Sequence, residues 1–234
     1  MPQNKTMKTG RVLRVLGPDA PADDPTRRRI LDAARSRFLR FGLTPVTTDA
    51  IASSIGISKA TLYKHFPSKE SLFREVIFQL LGEIEAGVDA LVADRSRDFA
   101  GRLAALLSYM GMRLTELGGI ISLDMQRSAP GIWKDFEAFR RERIFAKLGL
   151  LLDEGRAQGV FRRDLNKDYL ILVYATIIEQ VINPAALAPF ALSLSEAFRM
   201  IVSVMLEGLL TEKGRAGYLR ARSRGSAANP RSTK

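Results

Sequence analysis

Residues 47–69 read TTDAIASSIGISKATLYKHFPSK, and the stretch leaves the backbone few options. Thr47 can accept a hydrogen bond from a free N–H of the first helical turn, so a helix starts there and runs through Ile51 and Ala52 to Ile55. Gly56 ends it, because the residue after a helix often takes a positive φ that glycine adopts without steric cost. Ser58 then opens a second helix. Ile57 and Leu62 turn towards the first helix, and Lys59, Thr61, Tyr63 and Lys64 are left facing outward. Two short helices about a glycine pivot have the spacing of a helix-turn-helix, which makes the second of them a recognition helix.

A helix entering a major groove needs small or flexible side chains for base edges and donors for phosphates. Lys59 and Thr61 suit the bases; Tyr63, His65 and Lys69 offer a phenol, an imidazole N–H and an ammonium to the sugar-phosphate backbone. Helix pairs joined by a glycine turn also occur in ordinary all-α cores. His65 beside Phe66 equally reads as a packed or capping residue. With no second His and no Cys, it anchors no ordinary zinc site, and neither a metal nor a cofactor is expected.

From RRRILDAARSRFLRFG through VTTDAIASSIGISKATLYKHFPSKESLF the chain resembles the DNA-binding domain of the TetR family of transcriptional regulators, most specifically in TLYKHFPSKESLF. The resemblance implies that Thr48, Tyr63 and Lys69 touch phosphates and that Lys59, Ala60 and Thr61 face bases. Lys64 and His65 complete the expected DNA-binding set. Asp49 departs from the pattern: some members carry a basic, base-contacting residue there, so no operator sequence carries over. Beyond about Phe78 the likeness is one of length and helix pattern only.

At 234 residues and 46% hydrophobic composition the chain can bury a sizeable core. It has no Cys, which excludes a disulfide-stapled domain. The first twenty residues lack the apolar core of a secretory signal, and no apolar run reaches the roughly 18 residues needed to span a bilayer. A soluble, cytoplasmic protein without a membrane partner is expected. Of the net charge of +11, residues 25–75 carry ten Lys or Arg against four acids, residues 76–212 fifteen against eighteen, and residues 213–234 seven against none. Basic charge around the helix-turn-helix above a slightly acidic body is the distribution a DNA-binding module exploits.

Four segments follow. Residues 1–23 read as a disordered basic arm whose Arg11 and Arg14 could follow a minor groove. Residues 24–78 form a three-helix DNA-binding domain. It opens with Asp24 as N-cap and Pro25 at the first helical position, and Ile30, Ala34, Phe38 and Phe41 make the buried face of its first helix. Arg27, Arg28, Arg29, Arg35 and Arg37 are left outside. Residues 79–212 form an all-α regulatory and dimerisation domain, and residues 213–234 a disordered basic tail. A long helix from Ser68 to about Ala93 joins the two domains as a lever. Gly82 and Gly87 within it allow either bending or close packing.

In the body, helices are expected over residues 96–117, broken at Gly118 and Gly119, through Met125, from Ile132 to about Gln158, over 168–182, and from the capping box Ser193–Glu196 onward. The nearly apolar 169–182 segment and residues 195–210 suit a four-helix interface between two copies. A cluster of Tyr109, Met110, Met125, Trp133 and Phe136, with Arg113 as its one charge, marks the expected binding site for an unidentified small-molecule effector; the same side chains at helical spacing also read as core. Enzyme chemistry lacks a constellation, since Asp153 and Glu154 point apart on one helix. The sequence thus predicts a ligand-responsive regulator, most simply a repressor, binding palindromic double-stranded DNA as a homodimer. A ligand-independent DNA binder of the same type, acting through a protein partner or as an architectural factor, is the alternative.

Overall fold

A computed structural model describes residues 24–181 and 184–227; the N-terminal arm of residues 1–23, Ile182 with Asn183, and the last seven residues lie outside the described part. Helix α1, Pro25–Phe41, is capped by Asp24, whose Oδ1 accepts the N–H groups of Thr26 and Arg27 at 2.8 and 3.3 Å. Helices α2, Thr48–Ser54, and α3, Lys59–His65, start at the hydroxyls of Thr47 and Ser58, with Gly56 between them at φ 69°. Ser68 and Ser71 form a reciprocal cap at the start of α4, Lys69–Ala93.

These four helices close over Ile30, Ala34, Phe38, Ile51, Leu62, Phe66 and Phe73. Phe38 meets Phe73 edge to face at 5.1 Å, a geometry worth about 0.5–1.5 kcal/mol beyond the buried area. Phe41 was expected on this face and is exposed instead, beneath the Arg40 guanidinium. Gly42, at φ 83°, turns the chain so that Leu43 fills the core in its place.

The body departs from expectation in three ways. Helix α5 runs unbroken from Phe99 to Ser128, 30 residues through Gly118 and Gly119. A glycine inside a helix costs only about 1 kcal/mol relative to alanine, and α5 packs against α1 and α4 as well as three later helices. The helix expected from Ile132 to Gln158 comprises α6, Pro130–Phe139, a π-helical turn at Arg140–Phe145, and α7, Ala146–Ala157. Gly159, at φ 70°, ends it. Then come α8, Lys167–Val181, α9, Pro184–Leu187, a 3-10 turn at Ala188–Phe190, and α10, Leu194–Leu209, opened by the expected Ser193–Glu196 box.

The third departure is the tail. The tail from residue 213 is expected to be disordered, yet residues 213–227 belong to helix α11, Glu212–Ala227, packed against α5. Its start is pinned where Phe161 bridges Leu210 and where the Thr211 N–H reaches the Val160 carbonyl at 2.9 Å. Gly214 then lies so close to that carbonyl that a Cβ would sit 2.2 Å from it. The close approach, invisible in composition, supplies the packing that a charged segment otherwise lacks.

The expected boundary at residue 78 is not a gap in the core. Leu72 to Ile77 of α4 share one apolar cluster with Met125, Ile132, Phe136 and Phe139, whereas Leu80, Ile84 and Val88 enter a second cluster with α5, α7 and α10. Helix α4 threads both. Gly87 serves close packing: a Cβ there would meet the Tyr109 hydroxyl at 2.1 Å. No helix among the described residues is long and apolar enough to cross a membrane.

Candidate nucleic-acid interface

With Leu62 fully buried against α2, the opposite side of α3 faces outward. Lys59, Ala60, Tyr63 and Lys64 are exposed, and Thr61 is half-buried with its hydroxyl 2.8 Å from that of Ser58. The Tyr63 hydroxyl lies 3.2 Å from that of Thr48, itself buried. This couples a donor pair on α2 and α3 at one edge of the exposed face. Lys59 pairs with Asp49, Nζ to Oδ1 at 2.9 Å, and the carboxylate raises its pKa.

Two of the expected DNA-contacting side chains are committed elsewhere. The Lys69 ammonium donates to the carbonyls of Leu43, Thr44 and Val46 at 3.1, 3.4 and 3.1 Å. All three of its donors are therefore directed into the connection between α1 and α2. His65 Nδ1 lies 3.1 Å from the Asp24 carboxylate and ties the end of α3 to the cap of α1. Burial opposes ionisation of Asp24, but the Arg27 and Thr26 N–H groups and His65 together hold its pKa below the ordinary value. Two of the α1 arginines are engaged as well: Arg27 pairs with Glu75 and covers the Phe66 ring, and Arg29 donates to the Ile55 carbonyl at 2.7 Å.

Sequence reasoning missed the groups that tie this module to the body. Asp124 on α5 accepts from the Leu43 and Thr44 N–H groups and the Thr44 hydroxyl. Arg35 on α1 pairs with Glu83 on α4 and, at 2.8 Å, with Glu116 on α5. Arg113, expected beside a ligand, belongs to the same network through Glu116 and the Tyr109 hydroxyl, which in turn donates to the Glu83 carbonyl at 3.1 Å. No local pattern marks the links from α1 and the α1–α2 connection, because Arg35, Leu43 and Thr44 lie 48 to 81 residues from their partners.

The six residues expected around an effector do not converge. Met125, Trp133 and Phe136 belong to the first core cluster, with Trp133 stacked on Phe136 at 5.3 Å, whereas Tyr109 and Met110 border the second. A depression of about 570 Å³ between the starts of α4 and α6 is open and lined by Glu70, Arg74, Lys134 and Asp135 together with Ala129, Pro130 and Ile132. Elsewhere in the body, α8 exposes Tyr169 and Leu172, and α10 exposes Met200 and Val204. These large apolar side chains are open to contact with another protein.

Comparison with known proteins agrees with this geometry. Residues 30–76 match the profile of the bacterial regulatory proteins, tetR family. The chain is 30% identical over 166 residues, 69% of its own length and 79% of the relative's, to the HTH-type transcriptional repressor KstR2 of Mycolicibacterium smegmatis. It is 25% identical over 188 residues, 80% of its length and 96% of the relative's, to the HTH-type transcriptional regulator YvaF of Bacillus subtilis. The solved structure of the fatty acid degradation regulator FadR from Bacillus halodurans superposes with a TM-score of 0.64 at 18% identity, covering 80% of this chain and 98% of that one, and so shares its fold. An exposed α3 face locked onto a helical body, a matching N-terminal profile and a relative aligned over most of its length together make this chain a member of the TetR family of transcriptional regulators.

Proposed function

We propose that the protein is a repressor that binds a palindromic operator as a homodimer and releases it when a small molecule enters the helical body. The exposed outer face of α3, on a helix whose other face is fixed in the core, carries this reading. Lys59, Ala60 and Thr61 are assigned to base edges, and Thr48, Tyr63 and Lys64 to phosphates. His65 and Lys69 take part by holding α1 and the α1–α2 connection in place. The repressor assignment is supported by KstR2 of Mycolicibacterium smegmatis, a transcriptional repressor at 30% identity.

The dimer is assigned to the exposed apolar faces of α8 and α10, which pair with their counterparts to make four helices. The effector is assigned to half-buried apolar residues of α5 and α8 that border the second cluster, Met110, Leu114, Ile171, Tyr174 and Ile178. Movement there reaches the recognition helices through α4 and α5. A change in their separation from the 34–36 Å that fits successive major grooves, or a multiple of it, releases DNA.

Selection of bound sequences from random duplex DNA tests the proposal. The expected result is a palindrome whose half-sites are about one helical turn, or a whole number of turns, apart. Salt-sensitive binding without any motif overturns it in favour of an architectural role.

A further inference from the structure

Asp49 and Lys59 stand in the first turns of α2 and α3, with carboxylate and ammonium 2.9 Å apart. Their side chains are 62% and 55% exposed. An ion pair so open to water adds next to nothing to stability. Yet it occupies the N-terminal end of the recognition helix, the part that meets base edges in a helix-turn-helix, and it puts an acid where phosphates approach. An acid there weakens indiscriminate attraction to DNA, so its presence calls for a different account.

We infer that Asp49 and Lys59 act together as a reader of one G·C base pair in each half-site, with Asp49 a specificity-determining residue. The inference rests on the operator-binding reading above. An ammonium has three donors, and the bond to Asp49 leaves two of them free. In the major groove guanine presents two acceptors, O6 and N7, while the cytosine of the same pair presents the N4 amino donor. Lys59 donates to the guanine and Asp49 accepts from the cytosine, so the side-by-side donor and acceptor match one base pair. An A·T pair turns the adenine N6 amino group towards the ammonium and a methyl group and O4 towards the region of the carboxylate. That arrangement puts donor against donor and acceptor against acceptor.

The pair also holds Lys59 in one direction. A lone lysine swings freely and reaches any phosphate in range; tethered to Asp49, its charge is partly cancelled until a matching base replaces what solvent supplied. Asp49 therefore lowers affinity for random DNA while raising discrimination.

The test is sequence selection from random duplex DNA with the full-length protein, Asp49→Ala, Lys59→Ala and the double variant, followed by affinity ratios at the half-site position concerned. Asp49→Asn, which keeps the size and removes the charge, and thermal unfolding of every variant serve as controls on folding. The expected result is a G·C position that the unsubstituted protein prefers over A·T by roughly 5- to 150-fold. Each single substitution abolishes that preference, and the double variant loses no more than either one alone. Asp49→Ala also binds random DNA more tightly, with a salt slope steeper by up to about 0.9. An unchanged base ratio in Asp49→Ala, with or without a lower melting temperature, overturns the inference and reduces Asp49 to a first-turn acid, leaving the operator reading intact. Absence of any motif with the unsubstituted protein overturns both.

Discussion

Asp124, near the end of α5, accepts hydrogen bonds from Thr44 at 2.8 Å to its backbone N–H and 2.5 Å to its hydroxyl, across 80 residues of sequence. The same carboxylate takes the N–H of buried Leu43. Lys69 grips this connection from the other side, through its carbonyls. The segment that sets α2 against α1 is thus held between an anion of the body and a cation of the lever helix. The end of α5 is therefore joined to the DNA-binding module by hydrogen bonds as well as by the packing of α4.

Replacing Asp124 by Ala leaves the Leu43 and Thr44 N–H groups without their acceptor. Removing one partner of such a bond typically costs about 1–3 kcal/mol. The midpoint of urea unfolding is expected to fall accordingly, and amide exchange at Leu43 and Thr44 to quicken. Unchanged exchange at those two amides would show that the contact does not hold the connection.

Acid should loosen the joint between module and body. In Asp124 and Glu116 burial opposes ionisation, but hydrogen bonds from Thr44 and Leu43 in the first, and from Arg113 and Arg35 in the second, hold the pKa below the ordinary 3.8 and 4.5. The bond from the largely buried Arg102 does the same for Glu154. Groups that ionise more readily folded than unfolded contribute stability that is complete above their ordinary pKa values and lost as the pH falls through the folded ones. Stability measured by denaturant titration should therefore decline as the pH drops below about 4.5. Asp124→Asn and Glu116→Gln are expected to flatten that decline.

Lys69→Met retains most of the apolar stem and removes the ammonium. Because its donors serve backbone carbonyls, stability should fall by about 1–2 kcal/mol. Operator and random DNA should lose affinity by the same factor, with the salt dependence unchanged. A salt slope shallower by about 0.9 would instead identify Lys69 as a phosphate contact.

Leu172 and Val204 are 60% and 75% exposed on α8 and α10. Leu172→Arg or Val204→Asp places a charge in the proposed dimer interface while touching little within the protomer. Sedimentation should then report a monomer of undiminished helicity, and operator affinity should drop on the order of 100-fold or more, because two linked half-site contacts become independent. A variant that remains dimeric would move the interface elsewhere.

Much of this architecture is legible from neighbours in the chain. Asp24, Thr47, Ser58, Ser68 and Ser193 all cap the helices whose starts they mark, because an N-cap bonds to a backbone group two or three residues away. Gly56 shapes its turn for an equally local reason. The outward direction of Lys59, Tyr63 and Lys64 follows from Leu62 facing inward on so short a helix.

What the sequence alone determined is therefore the set of helices around the motif and the residue types on the exposed face of α3. Tertiary structure decided how the long polar side chains are used. Lys69 and His65 have donors suited to phosphate, yet those donors meet the Leu43 carbonyl and the Asp24 carboxylate, 26 and 41 residues away. Gly118 and Gly119 have the same freedom as Gly56, but α5, a helix that other helices pack against, stays helical through them. Helix α11 begins where Gly214 lies against the Val160 carbonyl, 54 residues away in sequence. The division has one physical cause: caps and turns close over a few residues and are decided by composition, whereas a flexible donor or a glycine backbone takes the best partner that the folded chain brings within reach.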